Sequence, residues 1–186
     1  MKTLIVVDVE SDGPCPGLYS MVCFGAVAVT PALDKTFYGR TAPLIEYTRD
    51  AYGDHLEEPV DFQAEALAIS GFTRAQHLAF PEPAITMANF KLWLSQFQQP
   101  VFISDNPAFD WQFINYYFHA FTQGNPMGFS GRRIGDLYAG LKGDLSYANK
   151  WKHLRDTKHT HNPVDDAKGN AEALLKMAAM GLKGIL

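Results

Sequence analysis

The amino-acid sequence predicts an α/β domain in which a mixed central sheet is flanked by helices. Three observations predict it. Three strand-like segments follow one another within residues 4–40. From residue 63 onward, helical segments alternate with one further apolar strand. The chain has 186 residues, 47% hydrophobic and 19% charged, which suits one domain with a sizeable core. No internal repeat, low-complexity tract or long linker divides it, so residues 1–186 read as a single domain.

The first strand is the run Leu4-Ile5-Val6-Val7-Asp8-Val9-Glu10, rich in β-branched residues. Ser11-Asp12-Gly13-Pro14 then reads as a turn. Met21 to Val29 is the second strand, with Gly25 at a bulge or a close backbone approach. Thr36 to Arg40 is the third, weakened by Gly39. Residues 42–60, rich in Pro, Gly and acids, read as an irregular excursion. Gln63 to Ile69 forms a short helix ended by Ser70-Gly71, and Thr73 caps another. After Pro81-Glu82-Pro83, a helix from Ala84 to Phe97 has Ile85, Ala88, Phe90, Leu92, Trp93 and Phe97 on its apolar side. Val101 to Ser104 is a strand, and an aromatic-rich helix runs from Phe109 to Phe121. Leu137–Leu141 and Asn149–Leu154 are expected to be helical, and the last helix spans Asp165 to Met177.

Composition excludes some classes. No stretch is long and apolar enough for a membrane span, and Asp8 interrupts the N-terminal apolar run too early for a signal peptide. A cytoplasmic location without a membrane partner is the expectation. Cys15 and Cys23 form neither a metal pattern nor a disulfide framework. The net charge of −4 argues against a nucleic-acid partner until its distribution is considered. Residues 1–70 carry net −7, whereas residues 132–158 carry net +4. An acidic half able to hold cations thus accompanies a basic segment able to hold phosphates.

Four places carry residues with chemical potential. Strand periodicity puts Asp8 and Glu10 on one face, where like charges repel and burial adds cost; a cation relieves both penalties. Asp110 lies just after the strand and loop ending at Pro107. His161 sits in His159-Thr160-His161-Asn162-Pro163. Asp165-Asp166 opens the last helix. Each has a plain structural explanation: acids favour the first helical turn, an N-cap is expected there, and a loop histidine is usually solvated. Four such coincidences in one small chain call for a common cause.

Together they resemble the DEDDh 3′→5′ exonucleases, which include RNase T, oligoribonuclease and a proofreading polymerase subunit. The motifs occur in order: Asp8-Val9-Glu10-Ser11-Asp12-Gly13, then Ser104-Asp105-Asn106-Pro107-Ala108-Phe109-Asp110, then His161 with Asp166 five residues later. Ala66 to Thr73 also resembles a segment common in these enzymes. The similarity covers roughly residues 3–178. Ser11, Asp105 and Ser70 stand where Thr, His and His are commoner, and none of these departures removes a catalytic group. Phe-Ile-Ser-Asp-Asn and Phe-Asp-Trp-Gln-Phe-Ile are similar to a small single-domain bacterial exoribonuclease-like branch.

The resemblance implies an RNase H-like fold and two divalent cations, Mg²⁺ or Mn²⁺. An all-carboxylate ligand set suits such hard ions. It implies metal ligation by Asp8, Glu10, Asp110 and Asp166, and His161 as general base. An imidazole suits that task because it titrates near neutral pH. The choice of Asp166 over Asp165 rests on family spacing alone. Ser11, Asn106 and Phe109 would meet the terminal nucleotide, and Lys150, Lys152, Arg155 and Lys158 would steer the phosphate backbone. The implied substrate is single-stranded RNA or DNA, with RNA slightly favoured. Spare apolar side chains on the helix Trp111–Phe121 allow a homodimer. Rival readings are an RNase H-like endonuclease, an inactive nucleic-acid-binding module and a carboxylate-pair glycosidase; the glycosidase has no use for His161 and Asp166.

Overall fold

Strand Thr3–Ser11 (β1) lies at the centre of a five-stranded sheet. The computed structural model describes residues 2–49 and 55–186, and side chains outside 46–58. β1 pairs antiparallel with Met21–Ala28 (β2), which pairs antiparallel with Thr36–Arg40 (β3). Ile45–Arg49 (β4) and His55–Pro59 (β5) form a separate antiparallel pair. This corrects the expected irregular excursion over 42–60; the part at 50–54 lies outside the described residues. Helices Ala64–Ile69 (α1), Arg74–Leu78 (α2) and Pro83–Leu94 (α3) follow. Thr73 caps α2 in a reciprocal capping box with Gln76.

Pro100–Ser104 (β6) returns parallel to β1 on its other side. Pro107–Phe121 (α4) leads to Arg132–Arg133 (β7), parallel to β6, and to Ile134–Lys142 (α5). The expected helix at 149–154 is a short 3-10 turn, Trp151–Leu154, and a second such turn, Leu145–Tyr147, precedes it. Pro163–Ala179 (α6) completes the fold. The mixed sheet with order β3-β2-β1-β6-β7 matches the predicted class. Among the described residues, no helix is long and apolar enough to cross a membrane.

Alternation along β1 divides the core. Ile5 and Val7 join Phe24, Phe90, Phe102, Phe113 and Phe118 beneath α3 and α4. Leu4 and Val6 join Ile103, Trp151, Ala171, Leu174 and Met177 beneath α5 and α6. Asp8 and Glu10 continue the parity of Leu4 and Val6, so they emerge on the α6 side. In α3 the buried residues are Pro83, Thr86, Met87, Phe90 and Leu94. Ile85 and Leu92, expected on the apolar side, are 54% and 71% exposed. The helix has apolar residues on two faces, and the Phe24–Phe90 contact selects one of them.

Two glycines permit close approach. Gly39 abuts the Phe24 ring, which a side chain there would displace. Gly25 lies opposite Asp8 in the β1–β2 register. A Cβ at Gly25 would overlap the Pro163 carbonyl and the Val164 nitrogen. The expected close backbone approach is therefore to the first turn of α6, brought directly over Asp8's neighbour strand.

Candidate active site

Three carboxylates converge at the end of β1. Oxygens of Asp8, Glu10 and Asp166 all lie within 4.8 Å of one another. Asp110 approaches from the start of α4, and its Oδ1 accepts a hydrogen bond from the Val9 N–H at 3.1 Å. Burial and the facing charges of Asp110, Glu10 and Asp166 hold the Asp8 carboxyl well above the usual range, while Arg155 pulls it down. Glu10 is pushed up to about 7 by burial and by Asp166. Asp110 also rises to about 7, chiefly through burial, against the hydrogen bond from Val9. Such a set is costly without a cation. All its donors are oxygens, so it fits a hard divalent ion.

Asp166 is fixed by its own surroundings. It is 1% exposed. Its Oδ1 accepts from Arg155 Nη2 at 2.9 Å and from the Thr160 N–H at 3.1 Å. Its Oδ2 accepts from the His161 N–H at 2.9 Å and stands 2.9 Å from His159 Nδ1. Asp165 is half-buried and outside the oxygen cluster; its N–H is capped by Asn162 Oδ1. His161 has φ +60°, a left-handed conformation rarely taken by non-glycine residues. Its ring is half-exposed, with Nδ1 3.5 Å from Glu10 Oε1.

The other expected site residues divide. Ser11 is buried, and its hydroxyl donates to the Gly13 carbonyl at 2.6 Å. Ser11 and Phe109 line a cavity of about 230 Å³ with Glu10, Gly13, Pro14 and Gln63. The Phe109 ring also packs edge-on against Phe113 at 5.3 Å, so it serves the core and the cavity at once. Asn106 is exposed at the N-terminus of α4, makes no capping hydrogen bond, and does not line that cavity.

The basic segment differs from expectation. Arg155 is not a surface phosphate contact: its side chain is 10% exposed and bound to Asp166. Gly169 makes room for it, since a Cβ there would lie 2.6 Å from Arg155 Nε. Lys152 pairs with Asp105 at 2.7 Å, and Lys150 lies over the Tyr147 ring. No spacing rule links Arg155 to Asp166, so this partner was not legible in the sequence.

Asp12 was also missed. The β1–β2 register shifts between Glu10 and Ser11, and the chain turns. Asp12, fully buried, therefore leaves the metal face and meets Arg74 Nη1 at 3.0 Å and His77 Nδ1 at 3.6 Å. Arg74 also donates to the Val60 carbonyl, tying the motif to α2. The alternating acids at 8, 10 and 12 were the available signal.

No protein-family profile matches the chain. The 3′-5′ DNA exonuclease Cap18 of Escherichia coli is 32% identical over 187 residues, covering 92% of this chain and 89% of the relative. Cell-death related nuclease 4 superposes on 97% of this chain with TM-score 0.72 at 15% identity; the chain spans 65% of that nuclease's length. A 3′-exonuclease solved for 3′-end recognition of a histone mRNA stem-loop gives TM-score 0.68 at 14% identity, over 97% of this chain and 83% of that one. Exonuclease I of E. coli, solved with a dT13 oligonucleotide, gives 0.64 at 14% identity over 98% of this chain and 42% of its own. The structural likenesses establish the RNase H-like α/β fold, and the closer sequence relation carries the rest: the chain belongs to the 3′→5′ exonuclease superfamily.

Proposed function

We propose that this 3′→5′ exonuclease removes nucleoside 5′-monophosphates from single-stranded nucleic acid, with Asp8, Glu10, Asp110 and Asp166 holding two divalent cations and His161 acting as general base. The observation that carries this reading is the convergence of Asp8, Glu10 and Asp166 oxygens within 4.8 Å beside the His161 ring. When bound, Mg²⁺ or Mn²⁺ would neutralise the phosphodiester and lower the proton affinity of the attacking water.

The chain's own residues supply the remainder. His161, with Nδ1 turned to Glu10, takes the water proton at Nε2. The water oxygen bonds to phosphorus as the bond to the 3′ oxygen of the preceding nucleotide breaks, and that oxygen takes a proton from solvent. Asp166 holds His161 in place through its backbone N–H. The cavity beside Glu10, with Ser11, Gly13 and Phe109 on its walls, receives the terminal nucleotide. One face of Phe109 offers a stacking surface, worth about 1–3 kcal/mol per base.

The motif resemblance leans toward RNA, whereas the 32% identical relative is a DNA exonuclease by name. The greater extent of that match leads us to propose single-stranded DNA as the first substrate to assay and RNA as the second. The homodimer has weaker support, since α4 spends Phe113, Ile114, Tyr117 and Phe118 on its own core. The test uses purified protein, Mg²⁺ or Mn²⁺, and 5′-labelled single-stranded DNA beside matched RNA. A ladder shortening from the 3′ end supports the reading. Internal cuts, or binding without metal-dependent hydrolysis, overturn it.

A further inference from the structure

A second group of ligand atoms stands beside the carboxylate cluster and is of different chemistry. One ligand atom from each of His159, His161 and Asp166 lies within 4.8 Å of the others. The two imidazole rings meet edge-on with centroids 4.3 Å apart. His159 Nδ1 is 2.9 Å from Asp166 Oδ2. The histidine side chains are 55% and 51% exposed, while Asp166 is buried and held by Arg155 and two backbone N–H groups. One wall of this group is therefore rigid and the other can adjust.

Two imidazoles and one carboxylate suit a borderline transition metal and suit Mg²⁺ poorly. Ligands about 2.0–2.1 Å from Zn²⁺ stand roughly 3.4 Å apart across a tetrahedral angle. Rotation of the two half-exposed rings closes the remaining distance, and the solvent side leaves a fourth position for water. The same residues belong to two chemistries: Asp166 is common to this group and to the oxygen cluster, and His161 faces Glu10.

We infer that His159, His161 and Asp166 form a second metal site, selective for Zn²⁺ or a similar borderline ion, whose occupation inhibits the nuclease by withdrawing His161 and Asp166 from the reaction. The inhibitory part rests on the role given to His161 above; the metal site does not. Ligation through His159 Nδ1 replaces its contact with Asp166 Oδ2, and the neutral ring carries its one N–H at Nε2 instead. Free Zn²⁺ would then lower activity even in excess Mg²⁺, because Asp166 is drawn away from the all-oxygen cluster it shares with Asp8 and Glu10.

The test uses the whole protein in excess Mg²⁺. Zn²⁺ binding is measured by calorimetry, and Co²⁺ serves as a spectroscopic substitute whose visible absorption reports nitrogen ligation. His159→Asn retains a side-chain donor toward Asp166 but removes the imidazole. His153→Asn is the control, because His153 Nδ1 already meets the Lys150 carbonyl at 2.6 Å. Circular dichroism confirms that each variant is folded. The wild type and H153N should bind one Zn²⁺, and H159N should bind it at least about tenfold more weakly, with the Co²⁺ bands lost. The Zn²⁺ concentration that halves hydrolysis should rise by the same factor in H159N. Equal Zn²⁺ affinity in H159N and wild type overturns the site. Zn²⁺ bound through His159 with hydrolysis undiminished overturns the inhibition and the role of His161, while the metal site stands.

Discussion

The backbone N–H of His161 donates to Asp166 Oδ2 at 2.9 Å, and the neighbouring Thr160 N–H donates to Oδ1 at 3.1 Å. This relationship gives the five-residue interval between the two a physical reason. Asn162 caps α6 and Pro163 opens it, so Asp166 sits in the first turn, where it can reach back over the incoming chain. One carboxylate thereby faces Asp8 and Glu10 and also holds the turn that carries the histidine.

Asp166→Asn should therefore differ sharply from Asp165→Asn. Asp165 lies outside the cluster, and its neutral variant should keep near-wild-type turnover. Asp166→Asn removes a cluster oxygen's charge and leaves Arg155 buried without its counter-ion, which costs about 3–5 kcal/mol in comparable buried pairs. Turnover on a labelled oligonucleotide, read beside urea unfolding, checks both. An inactive D165N with an active D166N would reverse the assignment.

His161→Ala should lower turnover by about 10²–10⁴-fold, the usual worth of a positioned general base. Calorimetry with Mn²⁺ should show metal binding little changed, because the oxygen cluster does not include the ring. Near-normal turnover in this variant would remove His161 from the mechanism.

Gly25→Ala should be costly although it adds one methyl group. That methyl meets backbone at Pro163 and Val164, which cannot rotate away. Overpacking of this kind costs about 1–3 kcal/mol. Displacement of α6 would also draw Asp166 and His161 away from Asp8. Chemical denaturation and turnover should fall together; an unchanged kcat in a destabilised protein would separate the contact from the site.

Stability without metal should fall as pH rises. Burial raises Asp8, Glu10 and Asp110, so the folded chain retains protons that the unfolded chain releases near pH 4. The stability from these groups is complete below that pH and is lost as pH passes the folded values, about 7 for Glu10 and Asp110. His77 acts oppositely: burial and Arg74 hold it down to about 4, so its contribution grows up to about 6.5 and is then constant. Between about pH 6.5 and 8 the carboxylates act alone. Thermal melts in EDTA should show a Tm that falls across this range, and Mg²⁺ or Mn²⁺ should restore more stability at pH 8 than at 6.5. A Tm that rises in EDTA would contradict the account.

The sequence by itself determined what covalent periodicity controls. Side chains two apart on a strand share a face, so Asp8 and Glu10 had to emerge together. The order of strands and helices and the three motifs were legible for the same reason, each being written within a few consecutive residues. The tertiary structure decided the pairings between distant segments. It directed Arg155 inward to Asp166, where Gly169 leaves space for it. It turned Asp12 away from the site to Arg74 and His77, because the β1 register shifts after Glu10. It buried Phe90 and left Leu92 in solvent on a helix with apolar residues on two faces. Local spacing governs which atoms share a face, but packing across the whole chain governs which atoms meet.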